Sequence, residues 1–224
     1  MHRRAPEPEA ARALTTASLG RASRSLARVD PALASILERW GPPPLWDREP
    51  GFATLLNIIL EQQVSLASAR AAMDRLVAAI GPPRPEPFLA LDDGALFGIG
   101  FSRQKRDYAR GLAAGILDGT LDLDALGRSS DSEARGRLMD VRGIGAWSAD
   151  IYLLMALGRP DVWPRGDRAL IVALRHAKGL AADPADEEAA GLAEVWRPWR
   201  SVAARLLWHL YLSEIRPRGG RSAE

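Results

Sequence analysis

The chain has 224 residues, 30 Lys+Arg against 28 Asp+Glu for a formal net charge of +2, 47% hydrophobic residues and no cysteine. That apolar fraction supports a packed core and excludes wholesale disorder, and the length suits one large domain or two small lobes. The lack of cysteine excludes disulfides, thiolate zinc sites, iron–sulfur clusters and a cysteine nucleophile.

No stretch approaches the ~20 apolar residues of a membrane span. The opening MHRRAPEPEAARAL is basic without an apolar h-region, so it does not read as a signal peptide, and a cytoplasmic protein is expected. Lys105 and Lys178 are the only lysines; every other cation is arginine. Arginine binds phosphate through a bidentate fork, but a GC-rich genome produces the same bias.

Residues 1–28 are Arg- and Ala-rich with early prolines, which predicts a loose tail over 1–20 leading into a helix, and 219–224 predicts a second tail. GPPPLWDREPG (41–51) reads as a turn. From Phe52 to Ile80 apolar residues recur at helical spacing, as in Leu55, Leu56, Ile59 and Leu60, until GPPRPEP (81–87) stops the pattern. Shorter helical segments follow at roughly 88–97, 103–118, 121–126 and 132–140. DPADEE (183–188) reads as a helix start by its Asp, Pro and acidic first turn. A last helix is expected over roughly 199–213, with Trp199, Leu206, Leu207, Leu210 and Tyr211. No window alternates apolar and polar residues with β-branched character. The prediction is an all-α fold of about ten helices without internal repeats.

Charge is uneven. Segment 101–110 carries Arg103, Lys105, Arg106 and Arg110 against Asp107. Segment 196–218 carries five arginines against Glu214. Such asymmetry permits a nucleic-acid face on a nearly neutral chain, and solvated helix surface is the alternative.

The chemistry is concentrated in residues 138–174. Gly143-Ile144-Gly145 lies between an apolar stretch (Leu138, Met139, Val141) and a strongly helical one (Ala149 to Leu157). Two glycines there allow a tight hairpin. A helix starting near Gly145 points unpaired N–H groups outward with the positive dipole end behind them, which makes a phosphate seat; a plain helix–helix turn is the alternative. Arg142 sits beside the hairpin and Trp147 lies two residues into the second helix. Asp167 follows Gly145 by 22 residues, after the loop Arg159–Gly166. A helix over 167–177 would start there, so an ordinary N-cap worth ~1 kcal/mol also explains Asp167.

Taken together, these residues resemble the helix-hairpin-helix (HhH-GPD) base-excision DNA glycosylases, and most of all the bacterial 3-methyladenine DNA glycosylase II group. The pattern is V-R-G-I-G after an apolar helix, a second helix with Ala149, then Asp167. Three further stretches carry the resemblance. Leu60-Glu61-Gln62-Gln63-Val64-Ser65 is similar to the family's helix-end-and-loop segment that enters the minor groove. Gly98-Ile99-Gly100-Phe101-Ser102 with Arg103 and Lys105 is similar to its G-hS-xxK turn. Trp196-Arg197-Pro198-Trp199-Arg200-Ser201 is similar to its W-x-P-W-R-S stretch. The resemblance covers roughly residues 30–215.

It implies a two-lobed helical fold: 21–50 plus 160–218 form one lobe, and 51–159, ending in the hairpin, the other. Asp167, Trp147 and Trp208 would meet in the cleft between them. Asp167 would face the scissile bond, where a carboxylate stabilises an oxocarbenium-like sugar or aligns water. Trp147 stands where lyase-active members carry a lysine, which implies a monofunctional enzyme. Trp147 and Trp208 would line the base pocket, since indole faces favour a cationic alkylated purine by ~0.5–2 kcal/mol. Arg142 and the amides of Gly143, Gly145 and Ser148 would hold DNA. The carbonyls of Met139, Val141 and Ile144 would hold Na+ or K+, and no organic cofactor is implied. Gln62 and Gln63 would fill the gap left by the extruded base. The expected substrate is duplex DNA carrying an alkylated base, acted on by a monomer without an obligate protein partner or a membrane.

Departures concern the pocket. Ile151 and Arg168 replace aromatic residues and Gln63 replaces the leucine of some members, which predicts a more open pocket. The chain is also too short for the β-containing N-terminal domain of the best-known members. Two alternatives stay open: a glycosylase for oxidised or mismatched bases, and a non-catalytic damage-binding protein on the same fold. His2, His176 and His209 lack partners at metal spacing and read as structural.

Overall fold

The computed structural model describes residues 13–216. It contains thirteen α-helices and no strand among those residues: α1 (Thr16–Val29), α2 (Pro31–Trp40), α3 (Phe52–Glu61), α4 (Leu66–Ile80), α5 (Pro85–Leu89), α6 (Asp93–Ile99), α7 (Arg103–Leu117), α8 (Leu123–Arg128), α9 (Asp131–Met139), α10 (Ala146–Met155), α11 (Arg168–Lys178), α12 (Asp186–Ala193) and α13 (Arg200–Leu210). None among the described residues is long and apolar enough to cross a membrane.

The helix boundaries follow local signals that periodicity alone does not separate. The loose tail predicted over 1–20 gives way to helix at Thr16, and residues 1–12 lie outside the described chain. Thr15 Oγ1 accepts from the Ser18 amide while the Thr15 amide donates to Ser18 Oγ, a reciprocal cap that starts α1. The apolar pattern over 52–80 is two helices, α3 and α4, broken at Gln62–Ser65, with Ser65 capping α4. The segment expected at 88–97 is likewise two, because Asp92 Oδ1 accepts from the Ala95 amide and starts α6 afresh. α12 begins at Asp186 rather than 183, and α13 ends at Leu210 before a wider π turn over Tyr211–Ile215.

The chain divides into two compact units. The first gathers the residues up to Leu45, Arg128–Ser130 and those from Gly158 on; the second holds Trp46–Gly127 and Asp131–Leu157. These borders differ from 50/51 and 159/160 for a physical reason. The Arg48 amide donates to Met155 O and the Gly51 amide to Tyr152 Oη, so 46–50 belongs with α10. At the other border Gly158 O accepts from the Leu14 amide, and Arg159 reaches Ser129 O.

In the first unit, α13 packs against α1, α2 and α11 through the buried Val202, Leu206, Leu207 and Leu210. Beside this core lies a buried acid. Asp30 caps α2 through the Ala32 amide, and its Oδ2 accepts from Lys178 Nζ at 2.7 Å and Trp196 Nε1 at 2.6 Å. In the second unit, α3 is buried along Leu55, Leu56, Ile58, Ile59 and Leu60 and packs on α4, α7 and α10. Phe88 closes this core between Phe52 and Phe101.

Several cations of both cation-rich segments are committed internally. Lys105 Nζ donates to Leu60 O, and Arg106 and Arg110 pair with Asp93. Arg197 and Arg200 share Asp161 and Glu194. Arg205 is fully buried and donates to Leu45 O and Ser201 O.

Burial by itself raises the Asp30 carboxyl, but the bonds from Lys178, Trp196 and Ala32 outweigh it and hold the group below its ordinary 3.8. A carboxyl depressed on folding contributes its full stability above the unfolded value and loses it as pH falls through the folded one. Stability should therefore drop with pH below about 3.8, and Asp30→Asn should flatten that drop while lowering stability at neutral pH. Urea midpoints followed from neutral to acid pH test this; parallel curves for the two proteins would contradict it.

Candidate active site

The hairpin of the second unit begins where α9 ends. Arg135 Nε on α9 donates to Asp150 Oδ1 on α10 at 2.7 Å, and Asp150 is buried, so an ion pair ties the two helices. Between them the Ile144 amide donates back to Val141 O at 3.0 Å. Gly143 has φ +94°, and a Cβ there would lie 2.2 Å from Tyr108 Cγ. Only glycine meets both conditions, the left-handed backbone and the contact with the ring. Ile144 plugs inward, burial worth roughly 1.5–3 kcal/mol. Gly145 is the extended N-cap of α10 and makes no side-chain cap bond. The start of α10 is thus covered by no capping side chain at its own N-cap, as a phosphate seat requires.

Around this turn the structure brings several predicted residues together. Gln62 Nε2 donates to Gly143 O at 2.9 Å and to Ser148 Oγ at 3.0 Å. Ser148 is buried in the first turn of α10. Arg142 is exposed and its guanidinium lies 5.8 Å from the Tyr108 ring centre. Gln63 is exposed with φ +56°. Trp147 is the second residue of α10 and half-buried. Met139 and Val141 lead into the turn. Gln62 departs from its expected part: its amide is committed to the hairpin, so of the two glutamines Gln63 is the one at the exposed tip.

Sequence reasoning placed Lys105 in the G-hS-xxK turn but did not single out Tyr108 or Arg48 as supports of this site. Tyr108 floors the hairpin, and its hydroxyl accepts from Gln104 Nε2 at 2.7 Å. Lys105 Nζ reaches Leu60 O at 2.6 Å at the end of α3, and burial lowers its pKa. Arg48 grips Glu61 through both terminal nitrogens, at 3.0 and 3.2 Å. Tyr108 and Arg48 carry no spacing signal, because each acts on a segment apart from its own.

The first unit supplies the acid. The loop before α11 is fixed by Ser201 Oγ, which accepts from the Val162 amide and donates to Val162 O, and by Asp186, which accepts from the Gly166 amide. Trp163 packs on Trp196, with ring centres 5.6 Å apart. Asp167 then caps α11: its Oδ1 accepts from the Leu170 amide at 2.9 Å and from Trp208 Nε1 at 3.2 Å. Asp167 and Trp208 are 9% and 8% exposed, so the acid and the indole edge share a nearly dry place. The N-cap expected at Asp167 is thus present.

Arg168, the first residue of α11, has another partner. Its side chain is largely exposed and pairs with Asp183 at 2.5 Å, while Arg175 holds the same carboxylate at 3.0 Å. Asp183 therefore serves α11 rather than the start of α12. Ile151 is buried inside α10. His176 pairs with Glu214 and His209 with Trp40 O, and no cluster of three metal-ligating side chains occurs among the described residues. His2 lies outside them.

A family model described as HhH-GPD superfamily base excision DNA repair protein matches residues 56–198. The protein YfjP of Bacillus subtilis (strain 168) is 30% identical over 185 residues, 79% of this chain and 64% of that protein, so the chain spans less than two thirds of that relative. Among solved structures, Schizosaccharomyces pombe 3-methyladenine DNA glycosylase Mag1 in complex with abasic DNA superposes with a TM-score of 0.76 at 26% identity, covering 84% of this chain and 95% of Mag1. A DNA-3-methyladenine glycosidase from Bacillus halodurans gives 0.75 at 26% identity, covering 85% of this chain and 88% of that one.

The contact at residue 143 is testable. Gly143→Ala should cost about 1–3 kcal/mol, from the left-handed backbone and the clash with Tyr108 together. Adding Tyr108→Ala should recover the steric part only. Thermal melts of the two single variants and the double variant check this; strictly additive losses would show that the ring contact is not the obstacle.

Proposed function

The chain belongs to the HhH-GPD superfamily of base excision DNA repair proteins, and from that premise we propose that it is a monofunctional DNA glycosylase acting on alkylated bases in duplex DNA. The observation that carries the reading is the buried Asp167 carboxylate, held at one oxygen by the Leu170 and Trp208 N–H groups. Two fixed donors keep the acid in one orientation, which electrostatic catalysis requires.

The hairpin amides of Gly143, Gly145 and Ser148, with Arg142, take a DNA phosphate. The carbonyls of Met139, Val141 and Ile144 suit a monovalent cation such as Na+ or K+, because the donor set is neutral; Val141 O already accepts from Ile144, so the turn that would present it is built. That ion would supply positive charge beside the phosphate. Gln63, at the exposed tip, fills the space of the extruded base, and extrusion is needed because the glycosidic bond is inaccessible in stacked DNA. An indole face favours a cationic purine, the part proposed for Trp208 in the first unit and for Trp147 in the second.

In the reaction the C1′–N bond breaks and its electron pair leaves with the base, whose alkyl-derived positive charge is thereby neutralised. Positive charge grows at C1′, where the Asp167 carboxylate stabilises it, and water adds there and loses a proton. Trp147 has no amine to form a Schiff base, so the product is an intact strand with an abasic site. The likeness to Mag1 supports this substrate class.

Asp167→Asn keeps a good N-cap, so stability should change little, while base release should fall roughly 10²–10³-fold. Trp208→Phe keeps a ring but loses the donor, and release should fall by about tenfold. The assay is heating-free release from duplexes containing 7-methylguanine or 8-oxoguanine, with products identified by mass. Preference for 8-oxoguanine would point to an oxidised-base enzyme. Binding of abasic DNA with no release from either duplex would make this a damage-binding protein, and full release by Asp167→Asn would remove the carboxylate from the mechanism.

A further inference from the structure

The geometry points to Gln62 as a positioning residue: it locks the exposed loop after α3 to the hairpin, so that the gap-filling tip and the phosphate seat act as one rigid piece. The inference rests on the glycosylase reading for its consequence in DNA, though the lock itself stands on contacts within the second unit.

A glutamine amide has two N–H donors. Here the nitrogen donates to Gly143 O at 2.9 Å and to Ser148 Oγ at 3.0 Å, which accounts for both. The acceptors belong to the two ends of the proposed phosphate seat. Gly143 is the residue pressed against Tyr108, and Ser148 is buried in the first turn of α10. One side chain therefore spans the turn. At its own end Gln62 is the C-cap of α3, and its amide donates to Ile59 O. Two residues earlier, Leu60 O is held by Lys105 Nζ at 2.6 Å. Glu61 between them is gripped by Arg48 and accepts from Asn57 Nδ2 at 2.8 Å.

The residue after this anchored stretch does the opposite. Gln63 is exposed and left-handed at φ +56°, a conformation that side-chain-bearing residues adopt seldom. The exposed Val64 and Leu66 follow it. A strained exposed tip persists only when its surroundings hold it. Gln62 is the link between that tip and the hairpin. Gripping a phosphate and filling a base-sized gap are two contacts with one duplex. If loop and hairpin moved separately, each would have to be ordered on binding; locked together, they meet the DNA already in register.

The test uses the full chain and three variants. Gln62→Met keeps the length and loses both donors. Gln62→Glu keeps the shape but sets a carboxylate against the Gly143 carbonyl. Ser148→Ala removes one acceptor and leaves its own amide in place, which provides a milder break should a Gln62 variant fold poorly. Amide hydrogen exchange is followed over 63–66 and 143–148. In parallel, binding to a duplex with an abasic analogue is read by 2-aminopurine placed beside it. For Gln62→Met, exchange in both segments should accelerate together, and the affinity reported by 2-aminopurine should weaken about tenfold, as expected for two lost neutral hydrogen bonds. Gln62→Glu should be worse than Gln62→Met, and Ser148→Ala should lie between wild type and Gln62→Met; a space-filling role would rank Glu and Met together. Unchanged exchange in Gln62→Met, or acceleration in one segment alone, overturns the lock. None of these readouts needs base release, so a wild-type protein that released no base would sink the glycosylase reading and leave this one standing.

Discussion

The chain at residue 143 passes so close to the Tyr108 ring that a single methyl group would not fit. The rest of the proposed DNA-facing surface depends on that approach. It sets the direction in which the Gly143 carbonyl faces Gln62, it places Gly145 in extended backbone ahead of α10, and it lets Ile144 turn inward as the plug between the two glycines. The Arg135–Asp150 pair then holds α9 and α10 at fixed spacing behind the turn. A phosphate seat built from backbone amides has no side chain to adjust, so its geometry must come from what packs beneath it.

The acid of the first unit is positioned by a different means. Asp167 satisfies an orphan amide of α11, as any good N-cap does, and accepts an indole N–H at the same oxygen. Helix formation therefore orients the carboxylate, and the stability of α11 and the aim of the acid depend on the same oxygen. Trp208 is fixed in turn because α13 is buried along almost its whole length. Its indole edge is used to hold Asp167, so its contribution extends beyond the ring face assigned to it by resemblance.

Many of the arginines work inside the fold. Arg200 and Arg205 are spent on loops and carbonyls inside the first unit, and Lys105, Arg106 and Arg110 on those of the second. Arginine suits this work because its fork reaches several oxygens at once. The exposed Arg142, stacked on Tyr108, is the cation left at the hairpin by this arrangement.

The residues alone determined the helical class, a turn at the glycines 143 and 145, and Asp167 as a helix start. Each is a local matter: helical periodicity, glycine's freedom at positive φ, and a side chain reaching an amide three residues on. The helix end at 60–65 came from the family likeness, since periodicity runs unbroken from 52 to 80, while the bond from the Arg48 amide to Met155 O escaped that reading. So did Tyr108 under the hairpin, Gln62 across it, and the pairing of cations in the two basic segments with Asp93, Asp161 and Glu194. Tyr108 and Gly143, Gln62 and Ser148, and Arg200 and Asp161 stand tens of positions apart, and a hydrogen bond or ring contact between distant segments leaves no period or spacing in the chain that makes it. Only packing decides which carbonyl a lysine finds and which glycine meets a ring.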